Sequence, residues 1–132
     1  MYLLDTNIVS ELMRSRPDPN VWRWSQSVRQ HALSVITVDE IWFGIRRKGL
    51  IKFETWFTHY LNQHLVLPIT LEVAVLSGQL RGELASQGVT RSQADMLIAA
   101  TAKNYGLTLV TRNTRDFQGC GITLFDPFTH FA

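Results

Sequence analysis

The sequence predicts an α/β fold: a central, mainly parallel β-sheet covered by helices on both faces. Three observations carry this. Short apolar runs alternate with longer segments of helical spacing along nearly all of the 132 residues. Strands separated by helices imply parallel pairing through right-handed crossovers. Finally, no linker, repeat or low-complexity tract interrupts the chain, whose 45% hydrophobic and 18% charged content suits one domain with one core, residues 1–132.

The elements follow in order. Residues 2–5 are a short apolar run ending at Asp5; Ile8, Val9, Leu12 and Met13 then recur at helical spacing, so a strand passes straight into a helix that Pro17 and Pro19 close. Asn20 can cap a second helix carrying Val21, Trp22, Trp24 and Val28, and "ALSVI" (32–36) reads as a buried strand. Thr37 is the expected cap of the next helix, with Val38, Ile41 and Ile45 on one face and Gly49 suited to the left-handed position beyond its end. Residues 51–62 resume helical spacing, and "LVLPI" (65–69) is a strand. Thr70 begins a helix running to about Gln87, with Gly88 as its stop. Ser92 caps an Ala-, Leu- and Ile-rich helix ending at Gly106, and "LTLVT" (107–111) and "ITLF" (122–125) are the last strands. The last few residues look dispensable.

Composition narrows the function. The N-terminus has no basic leader and its apolar start is broken at Asp5, which speaks against a secretory signal or a membrane span and for the cytoplasm. Cys120 is the single cysteine, so no internal disulfide forms and a zinc site is poorly served. A net charge of +2 and a pI near 9.0 tolerate a polyanionic partner without requiring one.

In a parallel sheet all strands deliver their C-terminal ends to one edge, where ligand crevices form. Asp5 ends the first strand, Glu40 lies in the first turn of the helix after strand 32–36, and Asp116 follows strand 107–111 by a short loop. Asp95 opens the helix that feeds strand 107–111, so it starts at the same edge. Four of the eleven acids therefore converge on one crevice. Crowded carboxylates repel, and unless some are protonated they call for a cation; oxygen-only donors favour Mg²⁺ or Mn²⁺. A metal-held water and a neutralised phosphoryl oxygen make phosphodiester hydrolysis the natural hypothesis. Structural readings stand beside this one. Thr37-x-x-Glu40 and Ser92-x-x-Asp95 match the capping box, Asp5 could be a turn or helix cap, and Asp116 could be a surface acid beside Arg115. Capping and coordination are compatible.

With these positions in view, the sequence resembles PIN-domain ribonucleases, specifically the VapC/FitB-type toxins of bacterial toxin–antitoxin pairs. "LLDTNIVSEL" looks like the opening motif and "SVITVDEIWFGI" like the second. "ADMLIAATAKNYGLTLVTRNTRDF" is similar to the third and fourth, and "DPF" to the closing strand. Each piece alone is weak; the set in order is specific. The resemblance implies that Asp5, Glu40, Asp95 and Asp116 are the catalytic, metal-binding acids, supported by Thr6, Asn7, Thr111 and Asn113. It also implies Mg²⁺-dependent endonucleolytic cleavage of structured or single-stranded RNA, transfer RNA included, a VapB/FitA-like antitoxin and a homodimer. Asp39 adjoins Glu40, about 100° away on the helix, and Glu40 is preferred because it stands one turn before Gly44, whose missing side chain leaves room.

Other residues carry two readings each. Arg112 and Arg115 either clamp a scissile phosphate or pair with Asp116. Arg46, Arg47, Lys48 and Lys52 either contact the RNA backbone or form a solvated face complementing a helix C-terminus. Trp22, Trp24, Trp42, Phe43, Trp56 and Phe57 either line a groove for a partner helix or stack bases, or, as helical spacing favours, form core. Trp22 and Trp24, about 200° apart on one helix, cannot both be inside, so one faces a partner or another subunit. His31, His59, His64 and His130 show no triad spacing and are assigned nothing. A phosphoryl-accepting domain of the receiver or haloacid-dehalogenase kind would want a second Asp where Asn7 stands and a Lys where Arg112 stands. The remaining alternative is a noncatalytic RNA- or protein-binding module with the same fold.

Overall fold

A computed structural model describes residues 1–129; the final residues, with His130, lie outside the described part. The order is β1 (Tyr2–Leu4), α1 (Thr6–Met13), α2 (Pro19–Ser27), β2 (His31–Ser34), α3 (Val35–Lys48), α4 (Lys52–Gln63), β3 (Leu65–Leu67), α5 (Leu71–Ser86), α6 (Gln93–Tyr105), β4 (Thr108–Val110), a 3-10 turn (Thr114–Phe117) and β5 (Leu124–Phe125). The strands form one sheet in the order β3-β2-β1-β4-β5, every pair parallel. The α/β expectation holds, with β1 at the centre.

Alternation along the strands divides the core in two. Leu3, Ala32 and Leu109 point to one face, where Val73, Leu80 and Leu84 of α5 and Met96, Ile98 and Ala99 of α6 cover them. Leu4, Leu33 and Val110 point to the other, under Ile8 and Val9 of α1, Val21 of α2, Ile41 and Ile45 of α3, and Phe57 and Tyr60 of α4. The helix-covered sheet is therefore what gives β1 its unbroken apolar run: both of its faces are interior.

Several caps fall as the sequence suggests. Thr70 Oγ1 accepts from Val73 N and Ser92 Oγ from Asp95 N, while Gly49 and Gly106 take left-handed φ values of 66° just beyond α3 and α6. Two caps do not. Asp18, rather than Asn20, caps α2, its Oδ1 accepting from Asn20 N and Val21 N with Pro19 in the first helical position. Ser34, rather than Thr37, caps α3, accepting from Ile36 N at 3.1 Å. The strand predicted over 32–36 thus stops at Ser34, and Glu40 stands in the second turn of α3, not the first. Thr37 is buried inside the helix and turned to another use.

Candidate active site

The site is built outward from β1. Burial of Leu3 and Leu4 carries Asp5 into the interior, where it is only 5% exposed, and its N–H extends the parallel ladder by donating to the Val110 carbonyl at 2.9 Å. Asp5 also caps α1, its Oδ1 accepting from Thr6 N at 2.8 Å. On Oδ2 it accepts from Thr111 Oγ1 at 2.8 Å and from Asn7 Nδ2 at 3.1 Å. The capping reading of Asp5 therefore holds, and three donors orient its side chain.

Each supporting polar residue has a definite job. Asn7 Oδ1 accepts from Arg112 N at 3.1 Å, tying the end of β1 to the loop after β4. Fully buried Thr111 accepts from Asn113 N at 3.0 Å while it donates to Asp5, so Asn113 enters this network through its backbone. The Thr6 hydroxyl donates to Glu40 Oε1 at 2.6 Å and lies 3.2 Å from the Thr37 hydroxyl. That contact separates Glu40 from Asp39: both line the crevice, but only Glu40 is held by the β1–α1 junction. Gly44 also lines it, and a Cβ there would meet nothing within 4 Å, so the wall is open at that point.

The crevice, about 790 Å³, takes Asp5, Glu40 and Asp95 into one lining. Asp116 sits at its margin, exposed on the 3-10 turn and not in the lining, yet near enough to raise Asp95 electrostatically. Burial pushes the Asp5 carboxyl up to about 6; the Thr111 and Thr6 donors oppose this, and repulsion from Asp95 and Glu40 adds to it. Asp95 is also raised, chiefly by burial, with Asp116 and Glu40 adding to the rise and Ser92 and Arg91 opposing it. Repulsion among the acids therefore adds to both shifts but ranks behind burial. Among the described residues, however, no three acidic, histidine or thiol groups stand close enough to ligate one ion together. The oxygen-only donor set still fits a hard divalent cation, which commonly takes one or two carboxylates and fills its remaining positions with water.

The basic residues part company. Arg47 lines the crevice and lies 5.7 Å from the Phe43 ring centroid, whereas Arg46 turns aside to pair with Glu54 at 3.2 Å. Arg112 lies over Phe128 at 4.4 Å, and among the described residues neither Arg112 nor Arg115 pairs with Asp116. Phe57 is buried, Trp24, Trp42 and Trp56 pack partly buried against the core, and Trp22 and Phe43 stand out, 51% and 64% exposed.

Sequence reasoning missed Glu11, Arg14 and Arg91. Glu11 is buried at the crevice wall, accepting from Arg14 Nη1 at 3.3 Å and Asp18 N at 2.8 Å. The polar stripe Asn7, Ser10, Glu11, Arg14 on α1 was a legible sign of a face turned to a site. Arg91 offered no such sign. Its guanidinium crosses to the 3-10 turn and donates to the Asp116 and Gln118 carbonyls. The histidines, assigned nothing, also gather: His31 and His64 stack at 4.2 Å beside Tyr60, whose hydroxyl lies 2.9 Å from His31 Nε2. This cluster sits at the start of β2, the edge opposite the acids.

A parallel five-stranded sheet with an acid-lined crevice at the C-terminal ends of its central strands defines the class. The sequence profile of the PIN domain matches residues 2–119, and the chain belongs to the PIN-domain family. Nearly its whole length is similar to VapC ribonuclease Y4jK of Sinorhizobium fredii, 33% identical over 97% of this chain and 98% of the relative. The crystal structure of FitAcB from Neisseria gonorrhoeae superposes with a TM-score of 0.89 at 33% identity, covering 98% of this chain and 100% of that one. A toxin–antitoxin complex from Klebsiella pneumoniae gives 0.78 at 29%, covering 96% and 98%. Among the described residues no helix is long and apolar enough to cross a membrane.

Proposed function

We propose that this chain is a Mg²⁺- or Mn²⁺-dependent endoribonuclease and the toxin of a cytoplasmic toxin–antitoxin pair. One observation carries the reading: Asp5 is buried, held by three donors and repelled by Asp95 and Glu40, an arrangement that is costly without a counterion and useful with one. Asp5 and Asp95 would hold the cation, with Glu40 and Asp116 completing the acidic set through water. When bound, the cation supplies an acidified water and offsets charge on a phosphoryl oxygen.

The chain's own groups do the rest. Thr111 and Thr6 keep Asp5 oriented, and Thr6 holds Glu40 where it can accept a proton from an attacking water. Arg47 on the crevice wall and Arg112 beyond Asn113 supply positive charge on either side of β1, where an RNA backbone must pass an acidic centre. An antitoxin partner is proposed, as the likeness to a toxin–antitoxin complex supports, and the open crevice is the place it would block. A homodimer would cover the exposed apolar side chains in and just after the β3 edge strand, Leu65, Leu71 and Val75. Light scattering of the isolated chain is expected to give twice the monomer mass, and Leu71→Glu to halve it.

The deciding experiment is RNA cutting by the purified chain freed of its antitoxin. Cleavage of single-stranded or loop RNA is expected with Mg²⁺ or Mn²⁺, and none with Ca²⁺ or EDTA. Asp5→Asn should abolish it with folding intact; EDTA-resistant cleavage, or full activity in Asp5→Asn, overturns the reading in favour of a noncatalytic module or a different centre. Sequencing 5′ ends in cells expressing the chain identifies the RNA, transfer RNA being the first class to inspect.

A further inference from the structure

Asp116 differs from the other three acids in how it is held. Among the described residues its carboxylate makes no hydrogen bond or ion pair, so its place is set by the backbone of the 3-10 turn. Phe117, 1% exposed, pins that turn into the core from below. From outside, Arg91 straps it: Nη1 donates to the Asp116 carbonyl and Nη2 to the Gln118 carbonyl at 2.8 Å, so one planar fork bridges the two carbonyls that flank Phe117. Arg91 immediately precedes Ser92, whose hydroxyl caps α6 by accepting from Asp95 N at 3.0 Å. The short segment 91–95 therefore holds the third acid through the cap and the fourth through the strap.

We propose that Arg91 is a positioning residue: it fixes the Asp116 turn against the start of α6 and so sets the spacing of Asp95 and Asp116 for a divalent cation. This rests on the nuclease reading above. The guanidinium also lies near enough to Asp95 to oppose, in small part, the repulsion from Asp116. A lysine could replace that charge but not the two fixed donors.

Three measurements on the full chain test it, with Arg91→Ala, Arg91→Lys and, as control, Arg81→Ala on the exposed face of α5. Amide exchange over 114–118 is expected to quicken in Arg91→Ala and, less so, in Arg91→Lys. Calorimetry should show Mn²⁺ affinity falling about 10- to 100-fold in Arg91→Ala, as for other residues that orient metal ligands. RNA cutting should lose kcat with KM little changed, and Arg81→Ala should match the wild type throughout. If Arg91→Ala does not fold, Arg91→Lys alone carries the test, because it must also loosen the turn and weaken Mn²⁺ binding. Unchanged exchange over 114–118, or faster exchange with wild-type Mn²⁺ affinity, overturns the proposal and leaves the nuclease reading standing. A wild-type chain that takes up no Mn²⁺ overturns both.

Discussion

At the scale of single residues, Asp5 is buried at a cost in stability. Its carboxyl, ordinarily near 3.8, stands at about 6 in the fold, so the folded chain holds a proton that the unfolded chain has released. The sign follows from linkage: stability is greatest below 3.8, declines as pH rises toward 6, and above that the full penalty persists. Asp5→Asn removes the charge, and the shift corresponds to roughly 3 kcal/mol at most. The amide places an N–H among donors that previously met oxygen, so a net gain of about 1–2 kcal/mol is expected. Metal-free thermal unfolding at pH 8 should show the variant melting higher while its RNA cutting is lost; a lower melting point contradicts the account. Thr111→Val tests the same site from the donor side. Losing that hydroxyl removes a bond that favours ionised Asp5, so the acid limb of the cutting profile should move to higher pH. A limb that stays in place or moves down would show that Asp5 ionisation is not what limits the reaction.

At the scale of elements, the α3 cap separates what was legible from what was not. "SVIT" offers two capping hydroxyls three residues apart, and Thr37 with Glu40 matches the capping box better than Ser34 does. Tertiary structure decided otherwise, because the polar centre behind Thr6 needs Thr37 inside the helix. Ser34→Ala is therefore expected to cost about 1 kcal/mol, the usual worth of an N-cap, whereas Thr37→Ser should leave the cap untouched. Denaturant midpoints check both; equal losses would restore the Thr37 reading. The strand–helix alternation, the Thr70 and Ser92 caps and the Gly49 and Gly106 stops were written in local patterns, and so were the acids at strand ends. What could not be read were contacts made only by topology. The β3-β2-β1-β4-β5 order, the Arg91 strap to carbonyls and the stacking of His31 on His64 each join segments with no shared motif.

Across the whole molecule, the two edges of the sheet respond to pH in opposite senses. At the acidic edge, protonating Asp5 favours the fold. At the other, burial lowers His31 to about 4, with His64 adding repulsion, and burial lowers His64 as well. His31, kept neutral in the fold but free to charge near 6.5 when unfolded, lends stability that is full above 6.5 and is lost as pH falls toward 4, and His64 acts in the same sense. Between about pH 5 and 6.5 the Asp5 and His31 effects run against each other, each approaching one proton, or about 1.4 kcal/mol per pH unit, near pH 5 and shrinking as pH rises. Metal-free wild-type stability should therefore be nearly flat across that window. Asp5→Asn removes one side of the balance and exposes the other, so its stability should fall by about 1–2 kcal/mol between pH 6.5 and 5. Adding His31→Gln to Asp5→Asn should reduce that slope, even if the lost Tyr60 contact lowers stability at every pH. Urea titrations at several pH values provide the check, and a slope in Asp5→Asn no steeper than in the wild type would mean that the histidine edge does not titrate with folding. Both edges draw on one central strand, Asp5 just past its outlet and His31 paired to Tyr2 at its inlet, so the three residues of β1 separate the two opposing titrations.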